Sequence, residues 1–172
     1  MIKVLQAADI PDHAPPGRLG DWNFLVGRWR VRHRKLAQRL VGSTHWMEFD
    51  GECSCWMALG DGVNIDDHFI DQPTGRYRAS TVRVFDPKRA AWDIYWIDSR
   101  TPPAVMARPI SGGFEGKIGR LFADDEWEGR PIRTRFLWFN DDPRHCRWEQ
   151  AFSPDSGKTW ETNWEMRLER VS

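Results

Sequence analysis

The sequence is poor in what many functional classes require. It holds no run approaching the roughly 18 apolar residues of a spanning helix, and residues 1–20 (MIKVLQAADIPDHAPPGRLG) contain Pro11, Pro15 and Pro16 but no apolar stretch of secretory-leader length. The expectation is a cytoplasmic protein with a loose N-terminal arm over residues 1–19. An excess of either charge is also missing: Lys plus Arg and Asp plus Glu number 25 each, without a basic or acidic block, so neither nucleic acid nor a membrane is an expected partner. Cysteines number three, and Cys53 and Cys55 lie two apart in a strand-like run, near or beyond disulfide reach, which favours reduced thiols. Together with His145 and Cys146 they give too few ligands, at unsuitable spacing, for zinc, so no metal is expected. There is no Gly-x-Ser-x-Gly elbow and no Gly-rich phosphate loop, which removes the familiar nucleophile and nucleotide classes. Helical periodicity is almost absent, and no repeat, linker or low-complexity segment is found.

What is present is strand alternation, and it begins abruptly. In Asp21–Trp29 (DWNFLVGRW) an apolar turn of Trp22, Phe24, Leu25 and Val26 ends at Gly27, the residue type that best tolerates left-handed backbone. Trp29 and Val31 then alternate with Arg28, Arg30 and Arg32. A short helical turn feeding a Gly-x-Trp strand can plug the bottom of a barrel with the indole. Beyond it, turn clusters at 41–43, 60–62, 71–75, 86–88, 111–113, 141–143 and 153–157 separate windows of period-2 alternation. Ten strands are predicted, over 28–37, 43–58, 62–71, 78–86, 91–98, 103–110, 113–123, 131–139, 145–153 and 159–170. Strands joined in order by short turns make an antiparallel meander, and closure removes its exposed edges. The predicted fold is therefore an all-β, closed antiparallel up-and-down barrel, with residues 20–172 forming one domain.

The closing hairpin carries the pattern most fully. Cys146, Trp148, Gln150 and Phe152 share one face, Trp160, Thr162, Trp164, Met166 and Leu168 another, opposite a charged exterior. Val82 and Val84, Trp92, Ile94 and Trp96, and Ile132, Phe136 and Trp138 add apolar positions in phase. Eleven tryptophans against two tyrosines either fill such a barrel or wall a cavity for a flat apolar guest. The candidate ligand-binding residues are Trp92, Trp96, Trp138, Trp148, Trp160 and Trp164, with Gln150, Thr162 and Thr134 as polar groups of the same phase, followed by His33 and His45.

Five segments carry a family resemblance: Phe24-Leu25-Val26-Gly27-Arg28-Trp29, Val84-Phe85-Asp86-Pro87, Trp92-Asp93-Ile94-Tyr95-Trp96, and Arg147–Ser153 (RWEQAFS) with Thr159–Trp164 (TWETNW). Over residues 20–170 the chain resembles an uncharacterised bacterial family of calycin-like, or lipocalin-like, β-barrel domains. The resemblance implies a barrel with a mouth and a cavity, and it transfers no catalytic residue. It also implies an Arg from the last strand packed over Trp29, with Arg170 in the right phase and Arg167 the alternative.

Haem-binding barrels need an axial imidazole. His33, His45, His68 and His145 lie on strands or strand ends, but none is flanked by the pattern of an open apolar face, so no cofactor is expected. Asn64, Asp66 and His68 share one strand face. Because Val63, Ile65 and Phe69 take the opposite phase, the expectation is that this polar trio faces solvent; an inward trio would instead orient a ligand or supply acid and base. Three functions follow. The first is binding of a small hydrophobic or aromatic molecule inside the barrel. The second is an enzyme, an isomerase, cyclase or hydrolase, using an inward His or Asp as general base. The third is a structural protein with a solid core, in which Trp46 and Trp56, out of phase with Met47 and Cys55, make a homodimer surface.

Overall fold

In the computed structural model, which describes residues 10–100 and 108–171, ten antiparallel strands close on themselves in chain order. The strands are β1 (Gly27–Leu36), β2 (Trp46–Ala58), β3 (Val63–Ile70), β4 (Tyr77–Asp86), β5 (Ala91–Asp98), β6 (Ile110–Glu115), β7 (Ile118–Trp127), β8 (Arg130–Asp142), β9 (His145–Ser153) and β10 (Glu161–Arg170). The barrel is closed by β1 against β10, where Trp29 is opposite Arg170 and His33 opposite Met166. Helix among the described residues is limited to two 3-10 turns, of which Asn23–Leu25 leads into β1 through Gly27 at φ +129°. No helix is long and apolar enough to cross a membrane.

One end of the barrel is solid. Trp22, entering from the 3-10 turn, stands edge-on against Phe114 at 5.0 Å and Trp138 at 5.4 Å, with Trp92 beside it. Trp29 is buried there, its Nε1–H donating to the Leu25 carbonyl at 2.8 Å. The Arg170 guanidinium lies 4.1 Å over the Trp29 ring and donates to the carbonyls of Phe24, Val26 and Pro143, so one side chain ties β10 to the entering turn.

Several expectations are corrected. The predicted strand 103–110 lies mostly outside the described residues; the next strand described, β6, runs over Ile110–Glu115, with its turn at Gly116-Lys117 rather than at 111–113. Gly112 and Gly113 are strand positions, and glycine is required there because a Cβ would run into the Arg120 carbonyl or the Gly17 backbone. The N-terminal segment is not loose from Ile10 onward. Ile10 packs on Leu137 and Phe139 of β8, the Arg120 Nε–H donates to the His13 carbonyl, and the Gly17 N–H donates to Ala90.

Val82 and Val84 face outward, and Thr81 and Arg83 take the interior of β4. Register aligns Trp56, Ile65, Val82 and Tyr95 in one apolar row across the outside of β2–β5, with Trp56 45% exposed. Trp46 is partly buried beneath the Arg34 guanidinium, 4.0 Å from its ring. All three cysteines are free and buried, and burial pushes the Cys55 and Cys146 thiols up to about 11 and about 12.

Candidate ligand cavity

Above the solid end, a polar layer crosses the interior. Strand β3 turns Asn64, Asp66 and His68 inward, against the expectation that this face is solvated. The parity rule fails there because Asp66 meets a cation on the next strand. Arg83 of β4 donates through Nη2 to Asp66 Oδ2 at 2.6 Å and through Nη1 to Asn64 Oδ1 at 2.7 Å. The Thr81 backbone N–H donates to Asp66 Oδ1 at 2.8 Å. Burial alone would raise the Asp66 carboxyl, but Arg83 and His68 outweigh it and hold it well below the usual carboxylate range. The guanidinium also covers the Trp22 ring at 4.5 Å, so this layer is the cavity floor.

The cavity, about 300 Å³, opens at the opposite end of the barrel. Trp96, Trp138, Trp148 and Trp164 wall it with Ile94, Phe136 and Met166. Trp164 stands edge-on to Trp96 and Trp148, at 6.0 and 5.5 Å between ring centres. Four buried polar atoms on this lining have no hydrogen-bond partner among the described residues: His68 Nδ1, Arg83 Nε, Thr134 Oγ1 and Trp138 Nε1. Such groups are normally satisfied by protein, water or a guest. The Gln150 amide, by contrast, donates to Asn163 Oδ1 at 2.8 Å.

Of the candidate ligand residues, Trp96, Trp138, Trp148, Trp164, Gln150 and Thr134 meet around this one space. Trp92 is buried at the solid end, its Nε1–H donating to the Arg18 carbonyl. Trp160 and Thr162 are on the outside. Asn163 is an extra residue in β10, so Trp164 pairs with Gln150 while Thr162 pairs with outward-facing Ala151, and the alternation read back from Trp164 inverts at that bulge. Trp160 instead lies beneath the Arg135 guanidinium, 4.5 Å from its ring, with the tilted Phe122 ring beside it.

His33 is inward but enclosed, stacked on Phe49 at 4.8 Å with Nδ1 accepting from Trp164 Nε1 at 3.2 Å. His45 is exposed, because β2 begins one residue later. Sequence reasoning missed Arg83, hidden between the two valines that carried the apolar phase. The inward reading of Asn64, Asp66 and His68 was the available signal, since a buried carboxylate demands a cation nearby.

Cys53 Sγ lies close enough to Asp66 and His68 for three ligand atoms to fall within 4.8 Å of one another. Asp66 is already neutralised by Arg83, and burial raises the Cys53 thiol well above its ordinary value, so the donor set is a poor one for a cation. His68 Nε2 is 3.3 Å from Asp66 Oδ1 and its ring meets the cavity beside Trp96, so an oriented imidazole borders the space. Comparison with models of known protein families and with curated proteins finds no match to this chain.

Proposed function

We propose that the protein binds a small hydrophobic or aromatic molecule in the open half of the barrel, as a member of the calycin-like group that its sequence resembles. The observation that carries the reading is the cavity of about 300 Å³, walled by four tryptophans and edged by polar atoms without partners among the described residues. That volume is at the lower end for small-molecule sites, which pair an apolar lining with a few orienting polar groups. Flat rings offer stacking to a flat guest, and Thr134 and His68 supply the hydrogen bonds that select among guests. The test is a titration with a panel of hydrophobic and aromatic probes, followed by tryptophan fluorescence. Saturable quenching that is weakened by Trp148→Ala and Thr134→Val is expected. Absence of quenching by every probe, together with a gain in stability from Gln150→Leu, would sink the reading.

A second reading, catalysis on the bound molecule, has one observation in its favour: the Asp66–His68 pair. A carboxylate holding one imidazole nitrogen while the other borders a pocket is the arrangement of a general base. Once native mass spectrometry has identified a retained guest, its turnover with His68→Gln decides. Lost conversion with binding kept supports an isomerase, cyclase or hydrolase, and unchanged conversion removes His68 from the chemistry.

A further inference from the structure

The cations around this cavity fall into two groups. Arg83 at the floor is matched by Asp66 at 2.6 Å, and Arg100 at the mouth by Asp98 at 2.8 Å. Arg108, exposed on the rim, has no carboxylate within 4 Å among the described residues, and the same holds for Lys35 and Arg39, also on the lining, from whose side chains no described residue accepts a hydrogen bond. Both are half-buried against aromatic faces. Lys35 Nζ lies 4.0 Å over the Trp164 ring, and the Arg39 guanidinium sits 4.8 Å over Trp127 and 5.3 Å over Phe152. Of the nearby acids, Asp98 is held by Arg100 and the Trp96 Nε1–H, and Glu161 accepts from the Leu40 backbone N–H. Asp125, exposed at the rim, is the remaining carboxylate on the lining.

Ring faces attract these cations without filling their N–H donors. The donors are left at the open end of an apolar cavity, beside the tryptophans that would grip a guest. We infer that the guest is an organic acid, with its apolar or aromatic body between Trp96, Trp148 and Trp164 and its anionic end on Lys35 and Arg39. The inference rests on the binding function proposed above. An amphiphilic acid satisfies both halves of the site, whereas a neutral guest would leave two partly desolvated cations without a counter-charge. Burial, with the Arg39 and Arg100 guanidinium groups and against a smaller pull from Asp98, brings Lys35 down to about 7, so an anion beside it would restore its full charge.

The test compares three probes that share one ring system by isothermal titration calorimetry: 2-naphthoate, 2-naphthyl phosphate and the neutral 2-naphthalenemethanol. Wild-type protein is expected to bind the better of the two anions at least about ten-fold more tightly than the alcohol. The Lys35→Met/Arg39→Gln variant is expected to lose that preference while its affinity for the alcohol changes by less than about three-fold. Preference for the phosphate over the carboxylate would name the head group without altering the inference. Alcohol binding as tight as that of either anion, or an anion preference that survives in the variant, would overturn the organic-acid inference and leave cavity binding standing. Failure of all three probes to bind would overturn the organic-acid inference, and, together with absence of quenching across the whole probe panel and a gain in stability from Gln150→Leu, cavity binding as well. If the double variant does not fold, Lys35→Gln alone and the wild type in 500 mM salt replace it, since screening must erode an anion preference and leave the alcohol unaffected.

Discussion

Trp29 and His33 occupy inward positions on β1 on either side of Val31 and do different work. Trp29 closes the solid end, and its Gly-x-Trp setting before the first strand made that position legible in the sequence. Trp29→Ala is expected to cost about 3–5 kcal/mol in chemical denaturation, as a large truncation in a packed core; a loss below half that would mean the indole closes little. His33 sits deeper than its apolar phase alone suggested, and its contact with Trp164 fixes its protonation. Nδ1 can accept from the indole N–H only as a neutral ring. Burial, with smaller contributions from His68, Lys35 and Arg32, accordingly lowers its pKa from 6.5 to about 3. The unfolded chain takes up a proton as pH falls through 6.5 and the folded chain refuses it until about pH 3. Stability is therefore unaffected by this group above pH 6.5 and declines below it, by up to about 1.4 kcal/mol per pH unit. In His33→Gln, which keeps an acceptor for Trp164, that slope is expected to be missing from urea midpoints measured across the same range; an unchanged slope would assign the acid sensitivity elsewhere.

At the scale of the strand, alternation identified most of the elements and then misjudged the inner face of three, β3, β4 and the start of β10. Where the interior is apolar, as along β9 and β10 from Trp164 onward, the phase of the large residues names the inner face. On β3 and β4 the interior instead holds an ion-paired layer, and the apolar residues Ile65 and Val82 line up with Trp56 outside, so the same rule points the wrong way. Trp160 and Thr162 were lost for another reason: one extra residue, Asn163, reverses phase, and no property of Asn announces a bulge. These assignments separate in experiment. Thr162→Val is expected to leave probe affinity unchanged, whereas Thr134→Val alters it, because only Thr134 borders the cavity; equal effects would contradict the bulge. Asp66→Asn is expected to destabilise by about 3–5 kcal/mol, since it leaves the Arg83 charge buried without its partner, while Asp66→Leu/Arg83→Met costs clearly less than the sum of its single changes. Additive costs in thermal unfolding would show that the two groups do not act as a pair.

Across the whole molecule, the closed ten-stranded meander was readable from turn spacing alone, because successive strands joined by short connections leave little choice of topology. The path of the N-terminal segment was not, since prolines and an absence of periodicity look the same in a docked strap as in a free arm. The strap explains an oddity of β8. Leu137 and Phe139 alternate with the cavity residues Phe136 and Trp138, and so point out of the barrel, yet they are 1% and 4% exposed. Ile10 packs on them beside Ile118, with the Arg147 guanidinium 4.2 Å over the Phe139 ring, and Arg120 and Arg133 hold the same segment through the His13 carbonyl and the Asp12 carboxylate. The exposed Arg133–Asp12 pair contributes little on its own, so the apolar contact and the hydrogen bonds at the His13 carbonyl and the Gly17 N–H carry the attachment. Ile10→Ala is accordingly expected to cost about 2 kcal/mol, and Arg133→Gln less than about 1 kcal/mol, in urea unfolding. Removing residues 1–16 is expected to uncover the Leu137–Phe139 surface, lower the melting temperature and raise binding of an apolar dye, with the barrel's circular dichroism retained. A truncated protein that melts with the full chain and binds no more dye would show that the strap lies on the barrel without stabilising it.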